Sequence, residues 1–248
     1  MDNSGKIKVL IPRNLCEFEK LSEINVNIEG FSPVEITWEN GYVSNITSIV
    51  GETNTLNKIL FPRFVESHAH IDKSFTWINY PNLKSNYENA LSVNLQEHLS
   101  RTAKKVSIRA EKSLNLAINN GYRAIRTHID TYDSQDKEIW TKLFTLKEKY
   151  SSLLNLQFVA LAPLEFWETK KGDLFAKNFK LNNGILGGVV VPPFNKSRIM
   201  KSLSKMLLLA KKYQLEVDLH IDESSIEPGA GIKLLLKTID KLNLNVPI

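Results

Sequence analysis

Phe64-Val65-Glu66-Ser67-His68-Ala69-His70-Ile71-Asp72-Lys73 is the stretch on which the fold turns. It continues an apolar run with β character, Ile59 to Val65, and is read as the end of a strand. Residues two apart on a strand project to one side, so His68 and His70 point together. Further apolar runs follow at Tyr122 to Ile129, Leu156 to Ala162, Ile185 to Val191 and Leu215 to Ile221, and Asn245 to Ile248 starts a sixth. Between them lie helical patterns. Leu91 to Asn120 ends at the stop Asn119-Asn120-Gly121, and an Asp133-Ser134 cap opens a helix to Tyr150. An irregular helical segment reaches Leu181, Asn195 caps a helix to Tyr213, and Pro228 starts one to Leu242.

Apolar strands alternating with helices indicate a parallel sheet with helices outside it. No glycine-rich phosphate loop follows the first strand, which weighs against a dinucleotide-binding fold. The remaining choice is a (β/α)8 barrel, which occupies ~250 residues by itself. Residues 58–248 hold only about five and a half such units. The expected architecture is therefore α/β, an incomplete TIM barrel over 58–248, preceded by a small β unit over 1–57. In that first unit Ile24 to Ile28 and Val34 to Trp38 alternate apolar and polar residues, and Glu39-Asn40-Gly41 reads as a hairpin turn.

A second histidine lies in Asp218-Leu219-His220-Ile221-Asp222-Glu223, at the end of the fifth strand. At the C-terminal mouth of a barrel, His220 could reach the cation that His68 and His70 grip. A divalent ion makes water nucleophilic at neutral pH, and Glu223 stands where a carboxylate could move the released proton. Taken separately, each signal has a plainer reading: solvated loop histidines for the pair, a satisfied core histidine for His220.

Composition narrows the field. The chain has 248 residues, a formal charge of +5 and one cysteine, Cys16, which fits a reducing compartment and is proposed neither as ligand nor as nucleophile. Arg101, Lys104, Lys105, Arg109 and Lys112 lie among acids on a helical pattern, read as a solvated outer face, so nucleic acid is not an expected partner. No apolar run is long enough for a membrane span and no signal peptide is evident, which makes a cytoplasmic protein the expectation. His98, beside Glu97, is read as surface helix.

Pro62 with Val65 to Lys73 resembles the first-strand signature of amidohydrolases of the cytosine deaminase and N-isopropylammelide hydrolase type. Asn120-Gly121-Tyr122 to Asp130 is similar to that branch's second strand, Leu156 to Ala160 to its third, and His220 to Glu223 to its fifth. The resemblance implies a TIM-barrel hydrolase with one divalent metal, zinc or iron, held by His68, His70 and His220. It implies Glu223 as the proton carrier and a deaminase releasing ammonia from a heterocycle such as cytosine. Release of an alkylamine from a triazine-like ring, or opening of a cyclic amide, is the alternative. It gives His128 a structural role, and Asp72 and Lys73 a positional one. The small β unit fits the sandwich that family members build from both chain ends, and a homo-oligomer is expected at full length. A sixth-strand histidine and an eighth-strand aspartate of the family lie beyond Ile248, so the chain as given is expected to be an inactive fragment. One departure concerns the substrate. Where cytosine deaminases place a third-strand glutamine, this chain has Ala162-Pro163-Leu164-Glu165-Phe166-Trp167, making Leu164 and Glu165 the candidate substrate contacts. Phe75, Trp77, Tyr80 and Tyr87 sit on the connection after the first strand, where Trp77 could face a flat ring.

Overall fold

The computed structural model describes residues 3–15, 26–50, 56–132, 136–244 and 246–248. The contacts divide the chain into two compact units, Met1–Arg63 and Phe64–Ile248.

In the first unit β1 (Gly5–Pro12), β2 (Phe31–Glu39) and β3 (Tyr42–Ser48) form an antiparallel sheet in that order. Asn40 and Gly41 make the β2–β3 turn with φ of 53° and 80°, the left-handed pair that a tight hairpin turn requires. Val9, Ile11, Val34 and Ile36 form its small core. The alternation at Ile24 to Ile28 does not yield a strand over the residues described. Ile24 and Asn25 lie outside them, and the Asn27 side chain accepts the backbone N–H groups of Glu29 and Phe31, closing a turn. Asparagine offers the backbone this alternative to a ladder, and Ile28 is left exposed.

The second unit is a sheet of five parallel strands in chain order: β4 (Phe64–Ala69), β5 (Tyr122–Asp130), β6 (Asn155–Ala162), β7 (Ile185–Val190) and β8 (Glu216–Ile221). Six helices connect or follow them: α1 (Tyr87–Leu99), α2 (Ala103–Asn119), α3 (Asp136–Tyr150), α4 (Lys170–Phe179), α5 (Lys196–Tyr213) and α6 (Ala230–Leu242). Sequential parallel strands with intervening helices curl into a half-barrel. Ile125, Leu156, Phe158, Leu186 and Val217 of the sheet pack with Val106, Leu114, Leu143, Leu203 and Leu207 of the helices. Among the described residues no helix is long and apolar enough to cross a membrane.

Several boundaries differ from expectation for physical reasons. The first strand begins at Phe64, and Ile59 instead bridges to Leu10 in the first unit. The helical stretch Leu91 to Asn120 is two helices. Thr102 breaks it, its side chain accepting the Lys105 N–H as an N-cap, while Arg101 enters buried ion pairs. The irregular segment becomes a short 3-10 turn, Leu164–Glu168, followed by α4. α6 starts two residues after Pro228, where the Asp222 carboxylate takes the N–H groups of Gly231 and Ile232 at 2.7 and 3.0 Å. Val246 to Ile248 have no assigned strand, although the Pro247 carbonyl accepts the Val217 N–H at 2.9 Å. Cys16, Asn245 and the Asp133-Ser134 cap lie outside the described residues.

Candidate metal centre

The pleat of β4 sends Glu66 and His68 to one side and continues to His70, while β8 presents Asp218 and His220 at its own C-terminal end. Residues 150 apart in sequence then meet: Nε2 of His70 and Nε2 of His220 are 3.3 Å apart. One ring nitrogen from each of His68, His70 and His220 falls within a 4.8 Å group. His220 is buried, His70 half-buried and His68 exposed.

Two Nε2 atoms so close cannot both carry a proton along the line between them. Either one proton is shared or a cation takes both lone pairs. Tetrahedral zinc with Zn–N bonds of about 2.0–2.1 Å separates its nitrogens by roughly 3.3–3.4 Å, so the donor pair fits such an ion. Electrostatics favour the lone pairs. Burial, followed by the charge of Lys73 and by His220, lowers the His70 pKa to about 3. Burial, then His128 and His68, lowers that of His220 to about 4, and burial and His128 also lower His68. Neutral imidazole is the form that ligates metal.

His128 of β5 completes a cluster of four rings. It is fully buried, with its centroid 4.3 Å from that of His68 and 4.7 Å from that of His220. Its Nε2 lies 3.1 Å from Oδ1 of Asp218, whose other oxygen takes an Arg126 N–H at 3.0 Å. The hydrogen bond from His128, with Arg126 beside it, brings the Asp218 pKa to about 2. An ionised Asp218 accepts the Nε2–H of His128, whose Nδ1 is buried with no hydrogen-bond partner. Arg126 also binds Gln157 and Glu216, so this polar column is anchored on β5, β6 and β8.

Glu223, just past β8, holds a carboxylate oxygen 4.0 Å from Nε2 of His220 and is partly exposed. A cavity of about 400 Å³ opens here, with His70, His220, Glu223, Lys73, Trp77 and Tyr87 among its lining residues. Leu164 and Glu165 do not line it. Leu164 is buried over Gly188, where a Cβ would come within 2.6 Å of Cδ2 of Leu164. Glu165 is exposed and pairs with Arg198 at 3.0 Å. The third-strand end therefore packs into the wall and the outer surface.

Behind the cavity lies a charge network that composition had assigned to a solvated face. Arg101 is buried, its NH1 reaching Asp72 at 3.3 Å and Asp130 at 3.1 Å, with Glu97 on its Nε and NH2. Arg109 joins through Glu97 at 2.7 Å, so Glu97 and both arginines leave the outer face. Burial and Asp130 raise the Asp72 pKa, whereas Lys73 and Arg101 outweigh burial at Asp130 and hold it ionised. His98 is only half-buried, its ring edge-on to Tyr132 at 5.0 Å and its Nδ1 enclosed without a partner. Helical periodicity contained no signal for the pairs of Arg101 with Asp72 and Asp130, each 29 residues away.

Comparison with known proteins finds homologues of this chain among amidohydrolase-superfamily enzymes. The chain is 28% identical over 222 residues to a pterin deaminase of Rhizobium rhizogenes, a match covering 85% of this chain and 49% of that protein. It is 26% identical over 239 residues to N-isopropylammelide isopropyl amidohydrolase of Pseudomonas sp. strain ADP, covering 93% and 58%. Among solved structures, 5-methylcytosine deaminase from Klebsiella pneumoniae superposes with a TM-score of 0.70 at 20% identity, over 96% of this chain and 56% of that one. The chain thus spans about half the length of the curated relatives it matches. No protein-family profile matches it.

Proposed function

We propose that this chain carries the metal-holding half of a hydrolase that releases ammonia from a nitrogen heterocycle. The observation that carries the reading is the convergence of three imidazole nitrogens within 4.8 Å at the strand ends, with the Glu223 carboxylate beside them. His68, His70 and His220 would hold one divalent ion, zinc or iron. When bound, the ion supplies Lewis acidity and a nucleophilic water at neutral pH. Glu223 would accept a proton from the attacking water and return it to the departing nitrogen. Trp77 and Tyr87 give a flat ring an apolar face, and His128, locked by Asp218, holds the His68 ring from one side.

Release of an alkylamine is the second reading, favoured by the match to the isopropylammelide enzyme along 93% of this chain. The sheet of the first unit is, on this proposal, one chain end's share of a small β-sandwich, with the barrel strands beginning at Phe64. A cytoplasmic setting and a homo-oligomer complete the picture. Zinc or iron loading of the protein completed to the length of its relatives, followed by assay of ammonia and amine from pyrimidines, pterins and triazines, tests it. The reading expects one product class, abolished by Glu223→Gln with metal affinity retained. Equal turnover in that variant would contradict the role given to Glu223.

A further inference from the structure

Lys73 stands out among the lining residues of the cavity. Its Nζ is 2.8 Å from Oδ1 of Asp130, and among the described residues it has no second partner. Its side chain is about one-fifth exposed, on the cavity side of a carboxylate that is itself buried. The other oxygen of Asp130 is engaged by Arg101 at 3.1 Å and Asn94 at 3.4 Å. Asp130 is therefore fixed from behind and holds the ammonium in place. The charges of Arg101, Arg109 and Lys73 balance those of Asp72, Asp130 and Glu97, and Lys73 is the member at the open edge. It lines the cavity together with His70, His220, Trp77 and Tyr87.

We propose that Lys73 is a specificity-determining residue that binds an oxygen of the ligand, so the site selects heterocycles bearing a ring carbonyl or oxyanion. The inference rests on the hydrolase reading above and adds the substrate class. An ammonium has three donors and no acceptor. One donor is committed to Asp130, and those remaining suit a carbonyl or anionic oxygen while offering nothing to an amino group. The expected position of such a reader was the end of the third strand. With Leu164 buried and Glu165 turned outward, the connection after β4 supplies the polar contact instead.

The test compares cytosine with 4-aminopyrimidine, a pair differing by one carbonyl oxygen, by calorimetric titration of the zinc-loaded chain. Zinc affinity is measured in parallel as the check on fold and on the underlying reading. Wild type should prefer cytosine by roughly ten- to a hundredfold, the worth of one hydrogen bond to a charged group. Lys73→Met should abolish that preference, and Lys73→Arg, which keeps charge and donors, should restore part of it with zinc affinity unchanged in both. Equal binding of the two rings by wild type, no binding of either, or a preference that survives in Lys73→Met overturns the proposal. If zinc still binds through the histidines in those cases, the hydrolase reading stands. If zinc does not bind, it falls first.

Discussion

Two polar clusters meet at the mouth of the half-barrel, and they are built on opposite principles. In the network around Arg101 each cation faces a carboxylate, and Asp72, Glu97 and Asp130 are tied down by ion pairs at 2.6 to 3.3 Å. In the imidazole cluster the rings face one another, with burial lowering the pKa values of His68, His70 and His220, and Nδ1 of His70, His128 and His220 has no partner. Each cluster also keeps buried polar atoms without a partner: Asp72 Oδ1 and two Arg109 nitrogens in the first, the three Nδ1 atoms in the second. The contrast separates charge paired within the chain around the β4–α1 connection from imidazoles that converge, the arrangement proposed above to hold a cation.

That contrast can be broken at either end. The largest expected effect belongs to Arg101→Met. It strands buried carboxylates and should lower unfolding stability by about 3–5 kcal/mol in urea titration. A loss near zero would mean that the network is solvated rather than structural. On the other side, zinc at a hundredfold excess over its Kd should raise stability by about 2.7 kcal/mol, seen as a higher thermal midpoint. His70→Ala should erase that gain, yet leave the metal-free protein close to wild type. A smaller effect is expected from Asp222→Ala, which removes the carboxylate capping α6 and should cost ~1 kcal/mol. Glu165→Ala should change stability by less than ~0.5 kcal/mol, because its pairing with Arg198 is exposed, and should leave heterocycle binding as it was.

The two clusters were also unequally legible. The His-x-His pair could be read because strand periodicity places alternate side chains on one side, and His220 because a parallel sheet aligns its strand ends. The order of five strands followed from apolar runs alternating with helical patterns. Arg101 could not be read this way. On a helical wheel it is one basic residue among several, and only Thr102, capping the next helix, turns it out of register and inward. Leu164 and Glu165 were misjudged for a related reason. The short 3-10 turn at Leu164–Glu168 decides their directions, and Gly188, lacking a Cβ, makes the room that Leu164 fills. Tertiary partners far along the chain set these outcomes, and local pattern carries no record of them.

X-ray absorption at the zinc edge of the loaded chain is the most direct test of the imidazole trap. The account predicts one equivalent of zinc, with imidazole nitrogens at about 2.0–2.1 Å and a shell that loses imidazole scattering in His70→Ala and in His220→Ala. Zinc bound without imidazole scattering, or bound equally well by both variants, would contradict it.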